Sequence, residues 1–135
     1  MIKTIEWKDN KVIMLDQSRL PIEIVYIQCN DYLKVAEGIK KLWIRGAPAI
    51  GIAAAMGIAL GAQDIKAVNY EDFMERLGPI MQTMLSTRPT AVNIKWAVER
   101  LRMLLLSKKD EPVSKLKEIL IEEANRILLE DIEIN

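Results

Sequence analysis

The stretch "WIRGAPAIGIAAAMGIALGAQ", Trp43 to Gln63, decides the fold, because it places an arginine, a proline and a run of small apolar residues between two charged segments. A helix that crosses a bilayer needs about 20 apolar residues. The apolar part here, residues 47–62, is shorter and consists largely of weakly apolar glycine and alanine. The stretch therefore predicts a closely packed core helix beginning at Pro48, and not a membrane segment.

Composition limits the classes of function open to the chain. Its 135 residues are 50% hydrophobic and carry no net charge, which predicts one domain with its own core. No run of lysine or arginine exceeds a pair, so neither nucleic acid nor a membrane surface is an expected partner. The N-terminal residues show no pattern typical of a signal peptide, and we expect a cytoplasmic protein.

The chain has one cysteine, Cys29, and no histidine. This excludes an internal disulfide, a Ser-His or Cys-His nucleophilic pair and a histidine metal ligand. We therefore expect no metal and no cofactor. Any chemistry would depend on carboxylates, lysine, tyrosine, the single thiol or backbone amides.

The pattern of the first 30 residues is that of short strands. "MIKTIEWKDNKVIMLDQ" alternates in hydropathy on both sides of Asp9 and Asn10, which predicts a β-hairpin. "LPIEIVYIQC" predicts a third strand with Pro21 at its start. About five helices follow, so the fold class is α+β, a small three-stranded antiparallel sheet followed by a helical bundle.

The helices are predicted from caps and apolar spacing. Asp31 caps the first, which should end near Arg45, and Asn69 caps the third, which Pro79 should bend or break. Apolar residues at helical spacing are expected to be buried in the last three helices: Phe73, Leu77, Ile80, Met81 and Met84; Val92, Trp96, Leu101 and Leu105; and Leu116, Ile119, Leu120, Ala124, Ile127 and Leu128.

The loop before the core helix is a candidate anion site. Arg45 offers a guanidinium fork, Gly46 permits close backbone approach, and the amides of residues 49–51 would point out of the helix start, where the aligned peptide dipoles favour negative charge. The alternative is a closely packed core helix preceded by an ordinary surface arginine. This stretch alone leaves both interpretations open.

A second stretch repeats the arrangement. "STRPTAVN", Ser86 to Asn93, sets Arg88 before what we predict to be another proline-started helix, with hydroxyl donors on Thr87 and Thr90. Two interpretations remain open. In the first, the two arginines at two helix starts converge on one phosphate; in the second, each is an ordinary residue at the entry of a helix.

Three further sets of residues are weaker candidates. Cys29 has no cationic neighbour in sequence except Lys34, which favours a structural thiol over a nucleophile. Asp16 lies in a polar turn, which favours backbone capping over catalysis. Glu130 and Asp131 form a paired acid that we interpret as a solvated or interface face.

The motifs "LDQSRLP", "IRGAPAIGIAAAMGIALG", "STRPTAVNIKWAVERL" and "EANRILLEDIEIN" resemble, in order and spacing, the N-terminal domain of methylthioribose-1-phosphate isomerases of methionine salvage. The resemblance covers almost all of residues 1–135. The same superfamily includes ribose-1,5-bisphosphate isomerases and regulatory subunits of translation initiation factor 2B, so a non-catalytic regulatory or assembly module is the alternative function.

The resemblance implies conversion of 5-methylthioribose 1-phosphate into 5-methylthioribulose 1-phosphate without metal or redox cofactor. The family's substrate-binding residues correspond to Arg45, Gly46, Ala47 and Arg88. Its catalytic cysteine and aspartate belong to a C-terminal Rossmann-like domain, so no catalytic residue is assigned here. We accordingly expect a sugar phosphate and the C-terminal half of the enzyme as partners, and no activity without that half. The family is typically dimeric, which leaves a homodimer open.

Overall fold

The structure, a computed structural model, describes residues 3–134, with side chains through residue 132. It confirms the α+β class. Three strands, a 3-10 turn and five helices follow in order: β1 Ile5–Lys8, β2 Lys11–Leu15, η1 Gln17–Arg19, β3 Tyr26–Cys29, α1 Tyr32–Lys40, α2 Ala47–Ala62, α3 Tyr70–Thr87, α4 Val92–Leu106 and α5 Val113–Ile134.

The strands form an antiparallel sheet in the order β1-β2-β3, and the predicted hairpin is confirmed. Asp9 and Asn10 join its strands with φ of 52° and 57°, left-handed values that asparagine and aspartate tolerate and that match the strand twist. The third strand is shorter than predicted. It begins at Tyr26, and the residues just after Pro21 lie outside the sheet, with Ile22 90% exposed.

Helix α1 is capped as predicted, with the amide of Lys34 donating to Asp31 Oδ1 at 2.8 Å. The prediction that it runs to Arg45 is wrong, because it ends at Lys40. Leu42 adopts φ of 62°, and the amide of Trp43 turns back to the carbonyl of Gly38 at 3.0 Å. This is a Schellman ending, which satisfies the last carbonyls and turns the chain towards α2.

Helix α2 lies at the centre of the molecule and confirms the predicted close-packed core helix. Every residue from Ile50 to Ala62 is buried. A Cβ added to Gly57 would lie 3.0 Å from Val35 Cγ1 and 2.7 Å from Met84 Cε, so small residues let α1 and α3 approach closely. Among residues 3–134, no helix is both long enough and apolar enough to cross a membrane.

The sequence predicts that Pro79 will bend or break α3. The helix runs through Pro79 without a break, so the second of these outcomes is wrong. Pro79 and Gly78 are on the exposed side, where water can bind the carbonyl that proline leaves without a donor. The five apolar residues predicted to face inward from α3 are all buried. Burial of the inner face holds the helix together across the proline.

Helices α4 and α5 complete the packing around α2. On α4, Leu101 and Leu105 are buried as predicted, but Val92 is 72% and Trp96 49% exposed, against expectation. On α5, the predicted face is buried, with Leu128 only partly so. The two exposed α4 side chains lie at the end of the bundle where α2 also begins.

Candidate anion-binding site

The starts of α2 and α4 face one cleft of about 320 Å³. Residues from both helix starts and from the turn before α4 line it: Gly46, Ala47, Ile50, Arg88, Thr90, Ala91, Val92 and Asn93. Three of the four residues that the resemblance assigns to substrate binding therefore lie around the same space. Arg45 is not among the lining residues.

The start of α2 differs from the prediction by one residue. Gly46 is the N-cap with φ of 90°, a value that favours glycine, and the first helical residue is Ala47 rather than Pro48. The amide of Ile50 already donates to the carbonyl of Gly46 at 3.0 Å. The amides available to a ligand in this turn are therefore those of Ala47 and Ala49, and not those of Ile50 and the residue after it.

The start of α4 also differs from the prediction. Arg88 ends α3, and Pro89 lies in a four-residue turn closed by the amide of Ala91, which donates to the carbonyl of Arg88 at 2.9 Å. The helix begins at Val92, so it is not started by proline. The turn nevertheless places Arg88 beside the start of α4.

Neither helix start carries a side-chain cap. Asp31 and Asn69 cap α1 and α3 by accepting hydrogen bonds from first-turn amides, whereas α2 and α4 begin at Gly46 and Ala91, which have no such side chain. Uncapped first-turn amides keep their donors and the positive end of the helix dipole directed outward. Two such ends at one cleft favour an anion.

The arginines strengthen this interpretation. Among the side chains of residues 3–132, Arg45 and Arg88 take part in none of the salt bridges. Each of the other arginines pairs with a carboxylate: Arg19, Arg76, Arg100, Arg102 and Arg126. The two arginines singled out by the sequence motifs are thus the two whose charge no carboxylate offsets within that part of the chain.

A second groove, of about 400 Å³, adjoins the cleft and shares Val92 and Asn93 with it. It is mostly apolar and includes the exposed ring of Trp96 and the carboxylates of Glu130 and Asp131. Trp96 was expected to be buried in the core, so sequence reasoning missed this groove. The signal against burial was weak, because Trp96 continues the apolar spacing of α4.

An ion-pair cluster links α4 to α5 beside this groove. Arg100 donates to both Glu130 oxygens at 2.8 and 2.6 Å and to Glu123 Oε2 at 2.6 Å, and its guanidinium lies 5.2 Å from the Trp96 ring centroid. The hydrogen bonds from Arg100 lower the pKa of Glu130. The interpretation of Glu130 as part of a solvated or interface face agrees with this arrangement, since its side chain is 45% exposed and pairs with Arg100 on the neighbouring helix.

The structural interpretations of the other two candidates are supported. Cys29 is buried, and desolvation raises the pKa of its thiol to about 11, so the thiol is neutral and a poor nucleophile. Asp16 is 4% exposed and accepts hydrogen bonds from the amide and hydroxyl of Ser18, which lower its pKa. It caps η1, as a turn carboxylate was expected to do.

The fold and the cleft define an α+β module with a candidate anion site at two helix starts. The chain belongs to the Initiation factor 2 subunit family, whose model matches residues 43–135. It is similar to the N-terminal region of proteins named methylthioribose-1-phosphate isomerase: 52% identical over 132 residues to the one from Geobacter sulfurreducens and 47% identical over 135 residues to the one from Koribacter versatilis. These alignments cover 98% and 100% of this chain, but only 38% of the length of either relative.

Solved structures agree with the sequence relatives. The chain matches 5-methylthioribose 1-phosphate isomerase from Pyrococcus horikoshii OT3 with a TM-score of 0.92 and 38% identity, over 98% of this chain and 37% of that one. It also matches translation initiation factor eIF-2B, subunit delta, from A. fulgidus, with a TM-score of 0.86 and 36% identity, over 98% and 38% of the two chains. Both the enzyme and the initiation-factor branches thus share this fold.

Proposed function

We propose that the chain is the N-terminal, sugar-phosphate-binding part of an aldose-ketose isomerase that converts 5-methylthioribose 1-phosphate into 5-methylthioribulose 1-phosphate. The observation that carries the proposal is the cleft where Arg88 and two uncapped helix starts meet. The similarity to isomerases acting on this substrate supports the choice of ligand.

The cleft matches a phosphate in charge and in donors. The amides of Ala47 and Ala49 and the first amides of α4 would bind phosphate oxygens, and the guanidinium of Arg88 would bind two oxygens at once. Arg45 would contribute from the rim, where its charge is unpaired among the described side chains. Sugar atoms would then lie towards the adjoining groove of Trp96.

Isomerisation itself is assigned to a second domain. The only cysteine is a buried, neutral thiol in β3, and it lies outside the residues that line the cleft. The family's catalytic cysteine and aspartate have no counterpart in the motifs of this chain. We therefore propose that the chain binds the sugar phosphate but turns it over only together with the C-terminal, Rossmann-like half.

Ligand binding is tested by thermal shift with 5-methylthioribose 1-phosphate, because a ligand that binds only the folded state raises Tm. Arg88→Ala and Arg45→Ala should each weaken binding by about 1.5–3 kcal/mol, the value of a charge-assisted hydrogen bond. Arg102→Ala is the matched control, since Arg102 is exposed on α4 and, among the side chains of residues 3–132, pairs with Glu99 alone. Equal shifts in all variants would disprove the phosphate clamp.

Catalysis is tested by measuring turnover of the same compound by this chain alone and mixed with a C-terminal half of an isomerase relative. The proposal predicts no turnover alone and turnover in the mixture. Turnover by the isolated chain would show that the catalytic groups lie within it.

The likeness to eIF-2B subunit delta favours a second candidate, a regulatory or assembly module that binds a sugar phosphate without converting it. Binding with no turnover in any mixture, together with a stable complex with other subunits of the family, would favour this alternative.

A further inference from the structure

The segment between α1 and α2, residues 41–46, is held from one side by a single residue, Gln17. The amide of Gln17 donates to the carbonyl of Trp43 at 2.8 Å, and the amide of Arg45 donates to Gln17 Oε1 at 2.7 Å. The two bonds bracket Ile44, whose side chain is fully buried. The backbone amide and the side-chain oxygen of Gln17 therefore fix the two ends of the tripeptide 43–45.

Gln17 is itself anchored to the sheet. The amide of Asp16 donates to the carbonyl of Val25 at 2.7 Å, and the buried carboxylate of Asp16 accepts from the amide of Ser18 at 3.0 Å. These bonds hold η1 directly after β2. A chain of short contacts thus runs from the sheet through Gln17 to the loop before α2.

The last residue of that loop, Gly46, is held from the helix side, where its carbonyl accepts from the Ile50 amide at 3.0 Å. Gly46 is exposed, and a Cβ placed on it would have no atom within 4 Å. The bond from Arg45 to Gln17 is the last contact before the chain reaches the Gly46 and Ala47 wall of the cleft. Loss of that bond frees the backbone to rotate around glycine, which has the weakest conformational preference.

We propose that Gln17 is a positioning residue for the phosphate cleft: its side-chain carbonyl fixes the backbone of Arg45, and through it the Ala47 amide and the Arg45 guanidinium. This inference rests on the proposed function, because it assigns a role within the same site. Gln17 is not among the residues that line the cleft.

The experiment titrates inorganic phosphate into the ¹⁵N-labelled chain and follows backbone amide shifts, which report the Kd of the folded molecule separately from its stability. Gln17→Met keeps the side-chain length and removes the acceptor. We expect its Kd for phosphate to rise about three- to tenfold, the value of one hydrogen bond. Gln28→Met is the matched control, since Gln28 lies on β3, donates to Asn30 and is not among the residues that line the cleft; its Kd should equal that of the unmodified chain.

A role in stability alone would lower Tm and leave Kd unchanged, and that result would overturn the assignment. Gln17→Asn, whose side chain is too short to reach the Arg45 amide, is the second variant if Gln17→Met does not fold. If neither folds, Gln17 is a folding determinant and the positioning role is wrong. If the unmodified chain itself shows no phosphate-dependent shifts, the proposed function fails. If Arg88→Ala loses phosphate binding while the Gln17 variants keep the Kd of the unmodified chain, only this inference is refuted.

Discussion

Replacing Gly51 by alanine tests the close approach of α2 and α4 that brings the two helix starts to one cleft. Gly51 lies in the second turn of α2, facing α4. A Cβ built on it would lie 3.0 Å from the carbonyl oxygen of Asn93 and 3.3 Å from Asn93 Cβ. Both distances are shorter than an ordinary van der Waals contact, and the oxygen belongs to a helix backbone that cannot turn aside.

Two opposing effects set the change that Gly51→Ala makes in the free energy of unfolding. Alanine is favoured over glycine inside a helix by roughly 0.5–1 kcal/mol. Forcing an extra methyl group into a close-packed contact costs about 1–3 kcal/mol. We therefore expect Gly51→Ala to lower the free energy of unfolding by between zero and about 2.5 kcal/mol.

The matched control is Gly78→Ala on α3. Gly78 is exposed, and a Cβ there meets no atom within 4 Å. Pro79 disfavours the helical conformation of a residue with a Cβ at position 78, which offsets part of the advantage of alanine in a helix. We therefore expect Gly78→Ala to raise the free energy of unfolding by between zero and about 1 kcal/mol. Urea denaturation followed by circular dichroism measures both changes.

Gly51→Ala should thus be less stable than Gly78→Ala by up to about 3.5 kcal/mol, at roughly 4 °C in Tm for each kcal/mol. If Gly51→Ala were more stable than the control, α2 and α4 would have to be farther apart than described. The geometry of the cleft would then be wrong as well.

Three further outcomes follow from buried polar groups. Cys29, with a pKa of about 11, should react with a thiol reagent at pH 8 only as fast as the chain unfolds; rapid labelling of folded protein would contradict its burial. Asp16, whose pKa the Ser18 hydrogen bonds lower, stabilises the fold above pH 3.8 and loses this effect as pH falls through its folded value. The stability gap between the unmodified chain and Asp16→Asn, measured by urea denaturation, should therefore shrink below about pH 4. Arg100→Met should cost about 1–3 kcal/mol in the same assay, because Glu123 stays buried with one partner fewer; no change would mean that the cluster is solvated.

Local features could be predicted from the sequence because their hydrogen bonds close within a few residues. Asp31 and Asn69 each accept from an amide three residues on, and Asp9 and Asn10 form a two-residue turn. The end of α1 could not be predicted this way. Its Schellman turn uses Leu42 where glycine is usual, and it depends on Trp43 folding back over Gly38, which only the packed state requires.

The candidate site likewise has features that the sequence predicts and features that only tertiary packing decides. Sequence motifs by themselves indicated that Gly46 and Arg88 lie just before helix starts, since proline, glycine and arginine mark helix entry locally; Ala47, also predicted to lie in the loop, is the first residue of α2. Whether those loops meet is decided by packing: α2 and α4 touch where Gly51 has no side chain, and this contact brings together residues more than 40 positions apart. The hydrogen bonds between Gln17 and Arg45 and between Arg100 and Glu130 join residues 28 and 30 positions apart. The spacing of apolar residues in the sequence does not indicate either pair. Tertiary structure alone decides such pairings, because a side chain's partner is set by the positions of whole helices and not by its neighbours in sequence.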